Sequence, residues 1–445
     1  MMSGRIRSLL AATTALLGLS SGAAFAVPYG LATIIPINVG TSKFTGYDFS
    51  IVDPATQLYY LTDRSANAID VISTKTNTLV ERIGQGQGLF GGVSTGNNTA
   101  GPNGVSITDL SSANGGGKLL LAGNTAPGIN STTGNVIAFN LASDGLTVTN
   151  TRTITTLNSS TPTPSNRVDG VAYSPVANTI LAANNASTPG AITIVNNANG
   201  AIIKTLVLNG LNNTPNGQGN GVEAPIYNTA TKTFFIAIPN LTSDAAGNGT
   251  GGGGVLEIDP ASGNILRTFD FDTLGAPTAC NPNGIAQGAN GVIGVACGSP
   301  GTLANRGLTL FLDPAANNGA GKLTVSTAVT GADQIAYDSS RNLFFEAARF
   351  ALPSGLADLS PQLGIFDGLG NFVQSLGITF NDHSVAVDPI SGEVLVAFGA
   401  TSDTAGIPGC ALGCVAVYST PEPGTLPIVL AGLLGVGAVF WRRRA

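Results

Sequence analysis

Seven short phrases recur along the chain, and each begins with a residue whose side chain could do chemistry. Their first residues are Asp48, Asn103, Asp169, Asn220, Asn283, Asp333 and His383. If the fold brings these positions together, they form an oxygen-rich ring that could coordinate Ca²⁺ or Mg²⁺ through carboxylate and amide oxygens. Asp and Asn also favour tight turns before a strand, so turn chemistry is the alternative interpretation of the same residues.

His383 is the only histidine of the chain. It is the candidate general base if the protein is an enzyme, because an imidazole titrates near neutral pH. A base needs a partner, and none can be assigned from the sequence, so a hydrogen-bonded channel residue is the other interpretation. A binding protein is therefore favoured over an enzyme, with no catalytic residue and no cofactor assigned.

The spacing of the phrases predicts the fold that would bring them together. By subtraction, successive phrases are 55, 66, 51, 63, 50 and 50 residues apart, which is close to the length of a propeller blade once loop insertions are allowed. The first repeat contains four short segments of strand character, at 49–52, 57–61, 68–72 and 78–83. Four such strands make one blade, and the innermost strand of each blade lines a central channel. We expect blades to start near residues 48, 103, 169, 220, 283, 333 and 383.

The seventh repeat predicts how the ring closes. Its three strands, at 385–387, 394–398 and 415–418, are followed by no fourth, whereas the strand-like segment 32–39 belongs to no repeat. Pairing this segment with the last repeat would remove exposed strand edges. The sequence therefore predicts an all-β fold, a seven-bladed β-propeller over 27–420 that is closed by an N-terminal strand.

The connections between the second and third strands are long in five repeats. They are 122–135, 239–253, 297–307, 346–362 and 399–414. In a blade these connections share a face with one mouth of the channel, and insertions gathered on one face mark a binding face. Glu346 and Arg349 flank one of these loops, and we expect them to form a solvated ion pair.

Four cysteines are expected to be oxidised in an exported protein, and four allow three connectivities. Their spacing favours the pairs Cys280–Cys297 and Cys410–Cys414. Both disulfides would rigidify loops of the same face. Two reduced thiols are the alternative for Cys410 and Cys414.

The first residues of the chain have the pattern of a cleavable secretory signal peptide. Arg5 and Arg7 precede an apolar stretch, and Ala24-Phe25-Ala26 follows it as a small-residue cleavage site. We therefore expect residues 1–26 to be an N-terminal signal helix that is absent from the mature protein.

The tail 421–445 has three parts in a fixed order. These are the motif Pro421-Glu422-Pro423, a short apolar run that predicts a transmembrane helix, and the basic cluster Arg442, Arg443 and Arg444. This order resembles the PEP-CTERM sorting tail of exported bacterial proteins. The resemblance implies that an exosortase-type enzyme acts on the tail at the inner membrane, after which the protein reaches the cell surface or the extracellular matrix. An ordinary membrane anchor is the alternative.

The low content of charged residues argues against some classes of binding partner. Charged residues are only 10% of the chain and the formal net charge is −6. No basic stripe is present, so nucleic acid and anionic lipid are poor partners.

The repeated phrases and the Asp-Pro turns resemble the broad group of NHL, YVTN and lactonase-like propellers. This resemblance implies an alternative function, an extracellular metal-dependent hydrolase or lyase, with His383 as its base and with candidate ligands Asp48, Asn103, Asp169, Asn283 and Asp333. Metal-dependent members of that group use a glutamate at the axis, and no phrase here begins with Glu. The favoured expectation is therefore a non-enzymatic propeller that binds extracellular polysaccharide or a protein through its long-loop face. A purely structural role in the extracellular matrix is the third hypothesis.

Overall fold

The computed structural model describes residues 28–420 except 38–41, 95–98, 127–133, 158–166, 187–188, 210–220, 244–248, 278–279, 299–307, 330, 350–360, 380–381 and 402–403. The chain divides into two units, one made of both termini and the other of Leu31–Ser419. The predicted signal peptide and sorting tail both lie outside the described residues. No helix in the described part is long and apolar enough to span a bilayer.

The second unit contains seven four-stranded antiparallel sheets, and in six of them the strands pair in the order in which they occur along the chain. Blade 1 consists of β2 (Tyr47–Asp53), β3 (Leu58–Asp63), β4 (Ala68–Ser73) and β5 (Thr78–Ile83). Blade 2 consists of β6 (Val105–Asp109), β7 (Lys118–Thr125), β8 (Gly134–Leu141) and β9 (Val148–Thr155). Blade 3 consists of β10 (Val171–Ser174), β11 (Thr179–Asn184), β12 (Ala191–Asn196) and β13 (Ile202–Val207).

Blades 4 to 6 repeat the pattern. Blade 4 consists of β14 (Pro225–Asn228), β15 (Thr233–Ile238), β18 (Gly254–Ile258) and β19 (Ile265–Asp270). Its long connection carries a small ladder of β16 (Thr242–Ser243) and β17 (Gly249–Thr250). Blade 5 consists of β20 (Pro282–Gln287), β21 (Ile293–Cys297), β22 (Thr309–Asp313) and β23 (Lys322–Ser326). Blade 6 consists of β24 (Ala332–Asp338), β25 (Leu343–Ala348), β26 (Gln362–Asp367) and β27 (Phe372–Gly377).

Blade 7 is assembled from both ends of the body. Its strands β28 (Val385–Val387), β29 (Val394–Phe398) and β30 (Cys414–Ser419) are completed by β1 (Gly30–Pro36), which pairs with β30. Each innermost strand contacts the innermost strands of both neighbouring blades, so the seven sheets form a ring. The predicted seven-bladed propeller closed by an N-terminal strand is confirmed.

The apolar core lies between neighbouring blades, because each sheet packs both of its faces against other sheets. The middle strands are therefore buried along their whole length, as in β3 and β11. The outermost strands, such as β5 and β9, have mostly exposed or half-buried residues. Burial on both faces explains the continuous apolar runs of the middle strands.

In four blades the turn that joins the first strand to the second is held by an acidic or amide side chain. Asp338 accepts hydrogen bonds from the N–H groups of Ser340 and Arg341 at 2.8 and 3.0 Å. Asn228 does the same for Ala230 and Thr231. These short turns leave the long connections on the opposite face, where the inner strands begin.

Candidate functional site

The first residues of the inner strands converge on the propeller axis and enclose a polar cavity of about 360 Å³. The residues that line it are Asp48, Phe49, Arg64, Arg167, Asp169, Asn185, Glu223, Asn283, Asp333, Arg349 and His383. The cavity lies on the face that carries the long connections. The structure thus brings together five of the predicted residues, namely Asp48, Asp169, Asn283, Asp333 and His383.

Two carboxylates of the ring are paired with an arginine of their own blade. Arg64 pairs with Asp48 in blade 1, and Arg349 pairs with Asp333 in blade 6 at 2.5 Å. Each arginine is the first residue after the second strand of its blade and follows its carboxylate by 16 residues. The spacing works because the second strand runs back up to the end at which the first one began.

A third arginine comes from a different position. Arg167 lies two residues before Asp169, pairs with it, and reaches to 3.7 Å from the carboxylate of Asp48. Asp169 belongs to blade 3 and Asp48 to blade 1, so one guanidinium faces carboxylates from two blades. All three side chains are largely buried.

Glu223 takes the place in blade 4 that the sequence assigned to Asn220. The N–H group of the next residue, Ala224, donates to the carbonyl oxygen of Asn283 in blade 5 at 3.1 Å. The residues that follow the axial position in blades 1 and 2 make the same type of bond to a neighbouring blade. The axial ring therefore contains a glutamate, and the phrase placed the start of this blade three residues too early. Asn220 itself lies outside the described residues.

Asn185 joins the acidic groups of blades 3 and 4. It is the first residue after β11, 16 residues after Asp169, and its Nδ2 lies 3.3 Å from the Asp169 carboxylate. The same nitrogen donates to Glu223 at 2.7 Å and lies 3.0 Å from the carbonyl oxygen of Val222. The amide thus holds the two carboxyl groups beside each other.

Burial and charge give the acidic groups different pKa values. Removal from solvent and the nearby Asp169 raise the pKa of Glu223 well above its usual value. Burial also raises the pKa of Asp48, although Arg64 and Arg167 oppose the shift. Burial would raise the pKa of Asp169 too, but Arg167 and hydrogen bonds hold it below its usual value. The pKa values of the neighbouring carboxyl groups of Glu223 and Asp169 are therefore shifted in opposite directions.

His383 lines the cavity from blade 7. Its ring stacks on Tyr47, with ring centroids 4.6 Å apart and planes 8° from parallel. The hydroxyl of Tyr47 donates to the carboxyl group of Asp382 at 3.1 Å. The orientation of the imidazole is thus braced by residues from blades 1 and 7.

Among the predicted ring residues that the structure describes, Asn103 is the one that does not line the cavity. Its Oδ1 accepts a hydrogen bond from Arg64 at 2.7 Å, and its Nδ2 donates to the carbonyl oxygen of Val168 at 2.9 Å. The side chain therefore bridges blades 1, 2 and 3 behind the cavity wall.

The donor set does not fit a divalent cation. The carboxylates of Asp48, Asp169 and Asp333 each face a guanidinium, which competes with a cation for the same oxygens. Calcium and magnesium need several oxygen ligands around one point. Within the described ranges, no three His, Cys, Asp or Glu side chains are placed to hold a metal ion. We therefore assign no step to a metal.

The arginines and Asn185 were not anticipated from the sequence. The signal was present, because Arg64, Asn185 and Arg349 each follow an axial carboxylate by 16 residues. The expected solvated pair of Glu346 and Arg349 is wrong. Glu346 is fully buried and accepts a hydrogen bond from Thr309, whereas Arg349 faces the axis.

Both favoured disulfides are present. Cys280 and Cys297 are joined with their Cα atoms 4.7 Å apart, and Cys410 and Cys414 with theirs 4.9 Å apart. The first links the start of blade 5 to its second strand, and the second lies in the last long connection. Both therefore brace the face of the cavity.

Comparison with known proteins gives similarity of fold only. No family model matches the chain, and no curated protein sequence matches it. Among solved structures, virginiamycin B lyase from Staphylococcus aureus superimposes with a TM-score of 0.52 at 12% identity, over 88% of this chain and 99% of that one. A streptogramin B lyase structure gives 0.53 at 12% identity, over 88% and 97%. Hydrazine synthase of Kuenenia stuttgartiensis gives 0.52 at 12%, over 81% and 94%. The chain is a seven-bladed β-propeller whose fold resembles that of virginiamycin B lyase.

Proposed function

We propose that this protein is an exported propeller of the cell surface or extracellular matrix that binds an extracellular polysaccharide, without catalysis, through the face that carries the axial cavity. The observation that carries the proposal is the cavity itself. Its volume of about 360 Å³ lies at the lower end of the roughly 300–1,000 Å³ that small-molecule sites occupy.

The lining supports a polar ligand. Three guanidinium groups and two amides donate hydrogen bonds, and four acidic side chains accept or share them. The arginines, Asn185 and the acidic side chains are held by pairing with one another, so little of their side-chain freedom is lost when a ligand binds. A polar group of a ligand would exchange its bonds to water for bonds to these fixed donors and acceptors.

Export and sorting rest on the two ends of the chain. We expect the signal peptide 1–26 to be removed, and an exosortase-type enzyme to act on the tail 421–445. Mass spectrometry of the secreted protein would identify both new ends. Replacing Pro421, Glu422 and Pro423 by alanine should leave the protein in the membrane fraction. Release of the variant at the normal rate would contradict the sorting proposal.

The binding proposal is tested with the secreted protein and the extracellular polysaccharide of the producing cells. Wild-type protein should bind saturably, and Arg349→Met should weaken binding because it removes a donor at the cavity. Lys204→Met, on an outer strand of blade 3, is the matched control and should bind as wild type. Equal binding by all three proteins would exclude the axial cavity as the site.

A lyase or hydrolase is the second candidate. It is favoured by the placement of His383, Glu223 and Asp169 around one cavity, because a positioned general base and general acid can catalyse elimination and hydrolysis. Two of the solved structures with a similar fold are named as lyases. Turnover of a polysaccharide or ester panel that is lost in His383→Ala and in Glu223→Gln would establish this function in place of binding alone.

A further inference from the structure

The axial channel contains a second cavity below the polar one. Its volume is about 430 Å³ and its lining is formed by the inner strands of all seven blades. Much of the lining is apolar or aromatic, with contributions from Ile51, Ile107, Tyr173, Tyr227, Ile335 and Tyr337. Of the residues that the structure describes, Phe49 is the one that lines both cavities. It therefore marks the boundary between them.

The ring of Phe49 crosses the axis of the propeller. Phe49 packs against the apolar cluster between blades 1 and 2, which is the side from which it originates. It also packs against the cluster between blades 4 and 5, which includes Ala224 and Ile285. In a seven-membered ring these two blades lie opposite blade 1. A side chain that contacts both sides spans the channel.

In the described part of the chain, no other blade has an aromatic residue at the position that corresponds to Phe49. The residues that follow the axial position in the other six blades are Gly104, Gly170, Ala224, Gly284, Gln334 and Ser384. The glycines here are constrained by their surroundings. A Cβ atom on Gly104 would lie 2.3 Å from the carbonyl oxygen of Asp169, and one on Gly170 would lie 2.2 Å from Pro225 Cδ. Among these seven positions, Phe49 is therefore the one large apolar side chain at the floor of the polar cavity.

The combination of a polar wall and an aromatic floor suits one class of ligand. A hydroxyl group both donates and accepts hydrogen bonds, so it matches a wall where guanidinium and amide donors alternate with carboxylate acceptors. The C–H face of a sugar ring is apolar and packs well on the face of an aromatic ring. A hydroxyl-rich ring on Phe49 would satisfy both parts of the site.

We propose that the axial cavity is a blind pocket, with Phe49 as its floor, and that it binds the terminal sugar of a polysaccharide chain, not an internal segment. The inference rests on the proposed polysaccharide-binding function and adds the part of the chain that is recognised. An internal segment would need a groove with two open ends, whereas the floor leaves one entrance.

The number of binding sites on the polysaccharide tests this inference. Extracellular polysaccharide of the producing cells is partly hydrolysed to several average lengths, and the amount of bound protein per gram is measured at saturation. End recognition requires the capacity per gram to rise in proportion to the number of chain ends. A capacity that stays constant on hydrolysis would overturn end recognition while leaving polysaccharide binding intact. No saturable binding to intact or hydrolysed material would overturn the proposed function itself.

Variants of Phe49 test its role as the floor. Phe49→Ala should join the two cavities and weaken binding to hydrolysed polysaccharide about tenfold, which corresponds to about 1.4 kcal/mol and is within the range of an aromatic contact. Ile51→Ala, which changes only the lower cavity, is the control and should bind as wild type. Phe49→Leu keeps an apolar floor without a flat ring and should bind with intermediate affinity.

The melting temperature of each variant, measured in parallel, distinguishes a loss of binding from a loss of folding. Unchanged binding by folded Phe49→Ala would overturn the floor assignment. If Phe49→Ala does not fold, the comparison of Phe49→Leu with Ile51→Ala decides the question, because equal affinity of these two variants would overturn it as well.

Discussion

Arg349 follows Asp333 by 16 residues and donates to its carboxylate across 2.5 Å, which repeats in blade 6 the contact that Arg64 makes with Asp48 in blade 1. The two pairs are built alike because the second strand of a blade returns to the level at which the first began. Each pair places a guanidinium and a carboxylate side by side at the axis. The site is therefore made by the geometry of the repeat and not by a single loop.

Loss of one arginine should be costly. Arg64→Met leaves the carboxylate of Asp48, which is 6% exposed, with only the more distant guanidinium of Arg167 as a cation, and breaking a buried pair costs about 3–5 kcal/mol. The free energy of unfolding in urea measures the loss. Adding Asp48→Asn should restore part of it, because no stranded charge is left. Lys75→Met, at an exposed position, should change the free energy of unfolding by less than about 0.5 kcal/mol; an equal loss in both variants would contradict the argument.

The stability should depend on pH through Glu346. Burial raises the pKa of this carboxyl group from 4.5 to about 8, against a hydrogen bond from Thr309. Between these values the folded protein holds a proton that the unfolded chain releases, so stability falls as pH rises through this window. The free energy of unfolding of wild type relative to Glu346→Gln should therefore decrease by about 1.4 kcal/mol per pH unit. Glu81→Gln, at an exposed position, should show no such trend; a flat difference for Glu346→Gln would refute the prediction.

The sequence predicts much of the architecture because both the opening phrase and the order of strands within a blade are repeated. The segment 32–39 was assigned to the last blade, and the observed strand Gly30–Pro36 pairs there. The predicted strand 78–83 of blade 1 has the observed bounds, Thr78–Ile83. The middle strands are buried on both faces, so their apolar runs are unmistakable.

The candidate site was predicted less completely, for a physical reason. The repeated phrase is a short local pattern. In blade 4 it matches Asn220-Gly221 better than Glu223-Ala224, although the backbone contacts place Glu223 at the axis. The arginine partners lie on the next strand, and only the hairpin geometry brings Arg64 to Asp48. The residues of one phrase do not show how the second strand of the hairpin runs back to the axis.

The two disulfides should contribute unequally to stability. Cys280 and Cys297 are separated by 17 residues, and Cys410 and Cys414 by 4. Loop-closure entropy predicts a loss of about 3 kcal/mol when the first pair is replaced by alanine and about 2 kcal/mol for the second. Differential scanning calorimetry of the two double variants measures the order. A greater loss for the shorter loop would show that chain entropy does not control the effect.

Removal of divalent ions should leave the protein unchanged. The oxygens of Asp48, Asp169 and Asp333 face guanidinium groups, so we expect far less than one calcium or magnesium ion per chain by elemental analysis. Dialysis against EDTA should not lower the melting temperature. A stoichiometric ion, together with a fall in melting temperature after its removal, would reinstate the metal ring predicted from the sequence.

The pairing of β1 with β30 also sets the order in which the molecule can fold. Residues 30–36 are among the first of the body to be synthesised, and their partner strand, 414–419, is among the last. The closing strand has no partner in its blade until nearly the whole chain has been made. Contacts between segments so distant in sequence form slowly. The ring of blades therefore stays open during synthesis, and it closes only when β30 becomes available to pair with β1.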